Sequence, residues 1–445
     1  MRKLSFFMCV LLLLVGSSCI DEQQQLEKIE QAMSNPELFH NSLDQLTDII
    51  VHDIFSPPVA SRVYVYPCVA AYETLAQKYT KQQLLSNQLQ GLGAIPQPAD
   101  TVNLSYELAA LAAFMQVGQT LIFSELKMEE YREAFLADVR AAKVPEIVIS
   151  KSMSYGDQVA AHILAWADKD NYKETRSSPK YNINDEPGTW KPTPPAYMEG
   201  IEPHWRDIRT MVLENAGQFK PAAPPAYDMN EKSDFYQKTV EVMDAVNNAT
   251  EEHVAIASFW DCNPYVMNQT GHMMYASKKI TPGGHWMGIA NIASETAGHD
   301  MMQTIETATM TSIALFDAFI SCWDEKYRSN LIRPETVINE HIDETWKPIL
   351  QTPPFPEHTS GHSVISNAAA IVLTDLLGET FAYEDDVEVK YGLPVRSYTS
   401  FLEAADEAAI SRLYGGIHYM PAIEDGVSQG RKVGNYIVMN ISTKK

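Results

Sequence analysis

The sequence is poor in several features that would suggest a class of function. Its 34 lysines and arginines face 57 aspartates and glutamates, a formal net charge of −23, which argues against nucleic acid as the main partner. The five cysteines are an odd number at wide spacing, so they do not predict a disulfide framework, and at most one pair could form among Cys68, Cys262 and Cys322. No His-Glu-x-x-His segment or paired-cysteine spacing occurs, so the spacing of ligand residues does not predict a zinc or calcium protein.

Long apolar runs are also absent, except at the N-terminus. Arg2 and Lys3 precede an apolar run over residues 4–15, followed by small residues and Cys19, which predicts a signal peptide over residues 1–19. Cys19 resembles the lipidated cysteine of bacterial lipoproteins, and ordinary signal cleavage nearby is the alternative. No later run reaches the roughly 18 uncharged apolar residues that a spanning helix needs. We therefore expect an exported protein, anchored to the membrane by lipid alone, in the periplasm or at the cell surface.

The pattern of apolar residues predicts an all-α protein. Strand-like alternation is scarce, whereas apolar residues recur three and four positions apart through most of the chain. We expect two packed helical bundles, over residues 35–171 and 231–445, after a polar tether over residues 20–34. The connection between them, residues 172–230, is rich in proline and too aromatic for a flexible linker. It is predicted to be an ordered, extended wrap that shapes a site entrance; whether the chain forms a homo-oligomer stays open.

One stretch in the C-terminal half has the features of an anion site. Three prolines in residues 353–356 prevent a helix there, and Ser360, Gly361 and His362 then lead into an apolar helical pattern. A loop that ends at a helix start presents free N–H groups to an anion. His362 could exchange protons with an anion bound there.

Cations flank this stretch on both sides. In so acidic a chain, an oxyanion site requires a local cluster of positive charge, with guanidinium groups binding two oxygens and lysine acting as a point charge. A glycine allows close backbone approach, and one of two imidazoles could supply a lone pair while the other acts as acid and base. Lys326, Arg328, Arg333 and Arg412 would supply such a cluster, and His418 is a second imidazole downstream of His362.

These residues form three motifs in a fixed order: Lys326 with Arg333, Ser360-Gly361-His362, and Arg412 with His418. Their order and spacing resemble the signature of the type 2 phosphatidic acid phosphatase and vanadium haloperoxidase superfamily, over about residues 323–434. The sequence around the motifs is similar to the soluble bacterial haloperoxidase-like branch. The resemblance places the phosphatase/haloperoxidase core in the C-terminal bundle.

The resemblance also implies a role for each position. His418 is expected to be the nucleophile of a phosphatase or the vanadate ligand of a haloperoxidase, and His362 the general acid and base. Phe355 occupies a position linked to halide preference in haloperoxidases. The groups expected to bind phosphate or vanadate oxygens are those of Lys326, Arg333, Ser360, Gly361 and Arg412.

Two positions depart from the family pattern. Thr359 replaces a proline, and Ala422 replaces the aspartate that usually orients the nucleophilic histidine. Without a carboxylate partner His418 would be a poorer ligand. Glu424 or Asp425 could take over this role, or both could be solvated residues at a helix start.

Three functions stay open on the sequence. The first is a vanadium-dependent haloperoxidase, with vanadate as cofactor and hydrogen peroxide and halide as substrates. The second is an acid phosphatase that hydrolyses phosphomonoesters through a phosphohistidine at His418, phosphate then being the substrate group. The third is a non-catalytic, lipid-tethered protein that binds phosphate-like anions.

Overall fold

The computed structural model describes residues 31–270, 273–276 and 278–445. The predicted signal peptide, the predicted lipidation site Cys19 and most of the tether lie outside these residues. The prediction that the tether extends to residue 34 is wrong, because residues 31–33 are helical. Met33 is buried and packs into the hydrophobic core.

The first half of the chain is a bundle of helices. Ser56 caps the second helix by accepting the N–H of Val59, and Pro57 occupies its first position, a common start for a helix. Gly156 allows two helices to pack closely, since a Cβ there would lie 2.5 Å from a backbone oxygen. The helices are α1 (Glu37–Asp53), α2 (Pro57–Ala76), α3 (Tyr106–Leu121), α4 (Glu125–Ala141), α5 (Glu146–Ala167) and the short α6 (Tyr172–Thr175).

The second half is also helical, which confirms the all-α prediction. Two short antiparallel hairpins interrupt it, β1 (Met267–Thr270) with β2 (Met273–Ala276), and β3 (Tyr383–Asp385) with β4 (Arg396–Tyr398). These strands have three or four residues each, too few for an alternation to reveal them in the sequence. The helices are α7 (Asp234–Asn247), α8 (Glu251–Phe259), α9 (Pro282–Thr296), α10 (Met301–Ser329), α11 (Pro334–His341), α12 (Gly361–Leu377), α13 (Phe401–Tyr414) and α14 (Met420–Asn440).

Helix α10 lies at the centre of the molecule. A capping box between Asp300 and Gln303 begins it, and it packs against α2 of the first bundle and α12 of the second. It is long and apolar enough to cross a membrane, yet its most apolar 18-residue window is entirely buried inside the protein. A helix that is apolar all round is expected in such a core. Its last turns carry Lys326 to the predicted site.

The proline-rich connection packs against the elements that carry this site. The backbone N–H of Trp190 donates to the carbonyl of Asn330, just after α10, at 2.9 Å. The N–H of Ile201 donates to the carbonyl of Pro354 at 3.0 Å. The connection therefore holds both the end of α10 and the proline-rich loop in place.

The cysteines of the described chain form no disulfide. Cys68, Cys262 and Cys322 are all buried and unpaired. The single pair that the sequence left open is therefore not formed among them.

Candidate active site

The predicted motifs meet at one pocket in front of the N-terminus of α12. The pocket holds about 520 Å³ of empty space, including its open mouth. Five of the predicted site residues line it, namely Phe355, Gly361, His362, Arg412 and His418. Lys326, Arg333 and Ser360 lie in the layer of completely buried side chains behind this lining.

The start of α12 presents its backbone to the pocket. Ser360 is the N-cap, and its hydroxyl oxygen accepts the N–H of Ser363 at 3.3 Å. A Cβ at Gly361 would meet only a ring carbon of Trp323, at 3.9 Å, so the space in front of this residue is the pocket itself. The free N–H groups of the first turn and the helix dipole favour an anion at this place.

Three cations are buried around the pocket. Lys326 and Arg333 are 0% exposed and Arg412 is 2% exposed. Burial lowers the pKa of Lys326 to about 7 and the pKa of each arginine to about 10, because the charged forms lose solvation. One carboxylate, that of Glu357, is completely buried beside Lys326 and Arg333. Other carboxylates lie near the same cations, Glu325 near Lys326, Glu335 near Arg333 and the pocket-lining Asp261 near Arg412. The three buried cations still concentrate positive charge at this one place, which suits an oxyanion.

Most hydrogen-bond donors of Lys326 and Arg333 are occupied by backbone carbonyls. Lys326 Nζ donates to the carbonyls of Pro356, Glu357 and Thr359 at 3.0, 3.1 and 2.6 Å. Lys326 therefore acts as a fixed point charge that also holds the loop before α12. Arg333 Nε and Nη1 likewise donate to backbone carbonyls at 2.9 and 2.8 Å. Its Nη2 is buried and has no hydrogen-bond partner within the described chain.

The hydrogen bonds of His418 determine its tautomer. Arg333 Nη1 lies 3.1 Å from His418 Nε2, and a guanidinium group can only donate. His418 Nε2 must therefore carry a lone pair, which leaves the proton on Nδ1. His418 Nδ1 donates to Glu357 Oε1 at 2.7 Å. Burial and the neighbouring Arg333 lower the pKa of His418 well below its ordinary value, so the ring is neutral. Its Nε2 lone pair accepts from Arg333 in this structure and can bind a ligand once that hydrogen bond is given up.

The carboxylate that orients His418 is Glu357, so the prediction that Glu424 or Asp425 does so is wrong. Helix α14 begins at Met420, and both residues lie in its first two turns. Glu424 is exposed, and the nearest imidazole partner of Asp425 is His358, at 3.8 Å.

Sequence reasoning passed over Glu357 because it looked for the carboxylate after His418. The sequence did contain one signal for Glu357. A glutamate inside an apolar, proline-rich loop is expected to be buried with a partner. Its Oε1 also accepts the N–H of Tyr419 at 3.0 Å. Burial raises the pKa of Glu357 to about 7, against the effect of the nearby cations.

His362 has one nitrogen free for chemistry. Its Nε2 is buried without a hydrogen-bond partner among the described residues, and the ring also bonds the backbone of Trp260. Burial and the charge of Arg412 hold the pKa of His362 well below its ordinary value. A neutral imidazole at the pocket wall can accept a proton from a bound molecule.

Aromatic side chains form part of the pocket lining. The rings of Phe355 and Trp323 lie with centroids 5.0 Å apart. Lys326 Nζ lies 4.9 Å, and Arg333 Cζ 5.0 Å, from the centroid of Phe355, which stabilises the cations by cation–π interaction. Phe355 thus lies in the predicted halide region, and its role there remains a prediction. Sequence reasoning did not select Trp323 or Tyr265, which also line the pocket.

A tetrahedral oxyanion such as vanadate or phosphate fits these residues. Among the described residues, Arg333 Nη2 and His362 Nε2 are two of the buried polar atoms at this site that lack partners. Gly361 leaves room for an oxygen where a side chain would intrude, and the lone pair of His418 is held in a defined tautomer. These are the features that an anion ligated by a histidine requires.

Known proteins share this architecture. A family model described as the VCPO second helical-bundle domain matches residues 306–443. The crystal structure described as that of the first bacterial vanadium-dependent iodoperoxidase has a TM-score of 0.88 and 54% sequence identity, over 92% of this chain and 97% of that chain. The chain belongs to the vanadium haloperoxidase family. This confirms the resemblance carried by the three motifs, and the expected haloperoxidase-like enzyme with vanadate as cofactor.

Two solved structures of lower sequence identity share the fold. A holo-type bacterial vanadium-dependent chloroperoxidase has a TM-score of 0.65 at 16% identity, over 87% of this chain and 93% of that chain. An apo-type structure has a TM-score of 0.63 at 15% identity, over 86% and 95%. Among curated proteins, none matches the sequence.

Proposed function

We propose that the protein is a vanadium-dependent haloperoxidase that oxidises iodide with hydrogen peroxide. The observation that carries the proposal is the lone pair of His418 Nε2, held beside Arg333 by the bond from Nδ1 to Glu357. Iodide is chosen because the protein of 54% identity is described as an iodoperoxidase.

Different pocket residues would bind different parts of the vanadate cofactor. His418 Nε2 would ligate vanadate, while Arg333 Nη2, Arg412 and the backbone of Gly361 would bind its oxygens. Lys326 adds positive charge from behind the pocket lining. Bound vanadate supplies a Lewis-acid centre that activates hydrogen peroxide towards a halide.

His362 is the proposed acid and base. Because burial keeps it neutral, its Nε2 can take a proton from hydrogen peroxide as the peroxide enters. The same nitrogen then returns that proton when iodide attacks one peroxide oxygen. An iodine–oxygen bond forms, the oxygen–oxygen bond breaks, and the other oxygen takes the proton and leaves as water, with hypoiodite as the product.

The decisive experiment is vanadate-dependent turnover. Apoprotein given orthovanadate, hydrogen peroxide and iodide is expected to form triiodide, which is followed by its absorbance. His418→Ala is expected to lose this activity, whereas Asp425→Asn, the matched control on α14, is expected to retain it. The absence of vanadate-dependent turnover in the wild type would refute the proposal.

Two further assays separate the alternatives. Hydrolysis of p-nitrophenyl phosphate that vanadate inhibits would indicate the phosphatase, and tight vanadate binding without either activity would indicate a binding protein. Parallel assays with iodide, bromide and chloride test the halide. A turnover with bromide equal to or above that with iodide would contradict the iodide assignment.

We also propose that the enzyme acts outside the cytoplasm as a lipoprotein. The support is the sequence of residues 1–19, with its basic start, apolar run and Cys19. Labelled fatty acid is expected to enter the wild type and not Cys19→Ser in a bacterial host. Equal labelling of both proteins would refute this proposal.

A further inference from the structure

A second group of polar side chains lies beside the oxyanion pocket, with one member, Cys262, in the pocket lining. Cys262 follows α8, His285 lies in the first turn of α9, and Glu388 follows β3. All three are buried, at 1%, 0% and 4% exposure. One ligand atom from each lies within 4.8 Å of the others. They come from three separate segments, so no spacing motif in the sequence could reveal them.

The distances among these atoms match a tetrahedral metal site. Cys262 Sγ lies 3.5 Å from His285 Nδ1 and 3.6 Å from Glu388 Oε1. His285 Nδ1 lies 3.2 Å from Glu388 Oε1. Ordinary zinc bond lengths and tetrahedral angles give edges of about 3.6 Å, about 3.6 Å and about 3.4 Å for these three pairs. The observed edges agree with these values to within about 0.2 Å.

The surroundings of His285 provide a second, independent observation. Its Nε2 donates to the buried Asp385 at 2.8 Å, which turns Nδ1 towards Cys262 and Glu388. The ring stacks on Trp260, with centroids 4.6 Å apart and planes 20° apart. A carboxylate behind a ligating histidine is the usual outer-shell arrangement of metal sites, where it fixes both tautomer and ring orientation.

We propose that Cys262, His285 and Glu388 bind one divalent transition-metal ion of the zinc class. A ligand set of thiolate, imidazole and carboxylate favours such an ion over magnesium or calcium. The ion ties α8, α9 and the β3–β4 hairpin together. It also stabilises the pocket wall, since Cys262 lines the oxyanion pocket and the Trp260 carbonyl accepts a hydrogen bond from Arg412 at 2.7 Å.

The test uses purified full-length protein without vanadate, with Zn²⁺ and Co²⁺ alone as probes. The wild type dialysed against Zn²⁺ is expected to retain about one ion per chain by elemental analysis. Co²⁺ is expected to produce a thiolate-to-cobalt charge-transfer band and the visible bands of a tetrahedral site. A chelator is expected to lower the thermal unfolding midpoint of the metal-loaded wild type.

Variants distinguish the proposed metal ligands from other buried residues. Cys262→Ser and Glu388→Gln are expected to lose stoichiometric binding, while Cys68→Ser, at another buried free thiol, keeps it. Asp385→Asn tests the positioning residue and is expected to weaken metal binding about 10–100-fold.

A wild type that binds neither ion, or a cobalt complex without the thiolate band, would overturn the proposal and leave a hydrogen-bonded cluster. These wild-type results decide the question even where a variant fails to fold. Since vanadate is absent throughout, they are also independent of the haloperoxidase assay.

Discussion

Replacing Glu357 by glutamine tests the central arrangement of the site. The amide keeps the size of the side chain but removes the charge that accepts the proton of His418 Nδ1 at 2.7 Å. The fold should tolerate the change, because burial already raises the pKa of Glu357 to about 7 and the neutral form is accessible. The perturbation is therefore directed at the imidazole.

The size of the effect follows from two opposing terms. Loss of an outer-shell carboxylate behind a ligating histidine typically costs about 10–100-fold in activity or affinity, equivalent to about 1.4–2.7 kcal/mol. Against this, the variant removes a negative charge that repels the bound oxyanion, which favours binding. We therefore expect turnover at saturating vanadate to fall about 10–100-fold, with a smaller change in the Kd for vanadate.

The assay is triiodide formation by apoprotein reconstituted over a range of vanadate concentrations, which separates turnover from affinity. Glu424→Gln is the matched control on α14, because the sequence made Glu424 a candidate for the same role. It is expected to behave like the wild type. Turnover of Glu357→Gln within about twofold of the wild type, or a large loss in Glu424→Gln, would refute the assignment; unfolding midpoints confirm that both variants fold.

Three further predictions concern the anion pocket at Gly361, the packing of helices in the core and the dependence of stability on pH. Gly361→Ala is expected to weaken vanadate binding by at least about tenfold without changing the unfolding midpoint, because its Cβ would enter the pocket and meet no protein atom closer than 3.9 Å. Gly156→Ala is expected to lower stability by about 1–3 kcal/mol, since its Cβ would lie 2.5 Å from a backbone oxygen, whereas Gly93→Ala, with nothing within 4 Å, is the neutral control in denaturant titrations. Burial raises the pKa of Glu73 from 4.5 to about 7. Its contribution to the free energy of unfolding is therefore full below pH 4.5 and is lost as the pH rises through about 7. The loss amounts to about 3 kcal/mol. Glu73→Gln should remove this part of the difference between unfolding free energies at pH 5 and pH 8, and the exposed Glu133→Gln should not.

Much of the site was predictable because its chemistry lies in local sequence. The spacing of apolar residues predicts helices, since a helix repeats every 3.6 residues whatever its neighbours are. The prolines before Ser360 and the glycine after it predict a loop that ends at a helix start. The cations could be assigned to one site because their order and spacing around Ser360-Gly361-His362 resemble a known signature.

The partners of those residues were decided by tertiary structure. His418 and Glu357 are 61 positions apart, and only the path of the chain makes Glu357 the carboxylate that contacts it. The three residues of the proposed metal site likewise meet because α8, α9 and the β3–β4 hairpin pack together. Local sequence determined the helices and the kinds of reactive group in this protein. Which groups touch was decided by burial in the folded chain, because a buried polar atom bonds whatever partner the packing brings within reach.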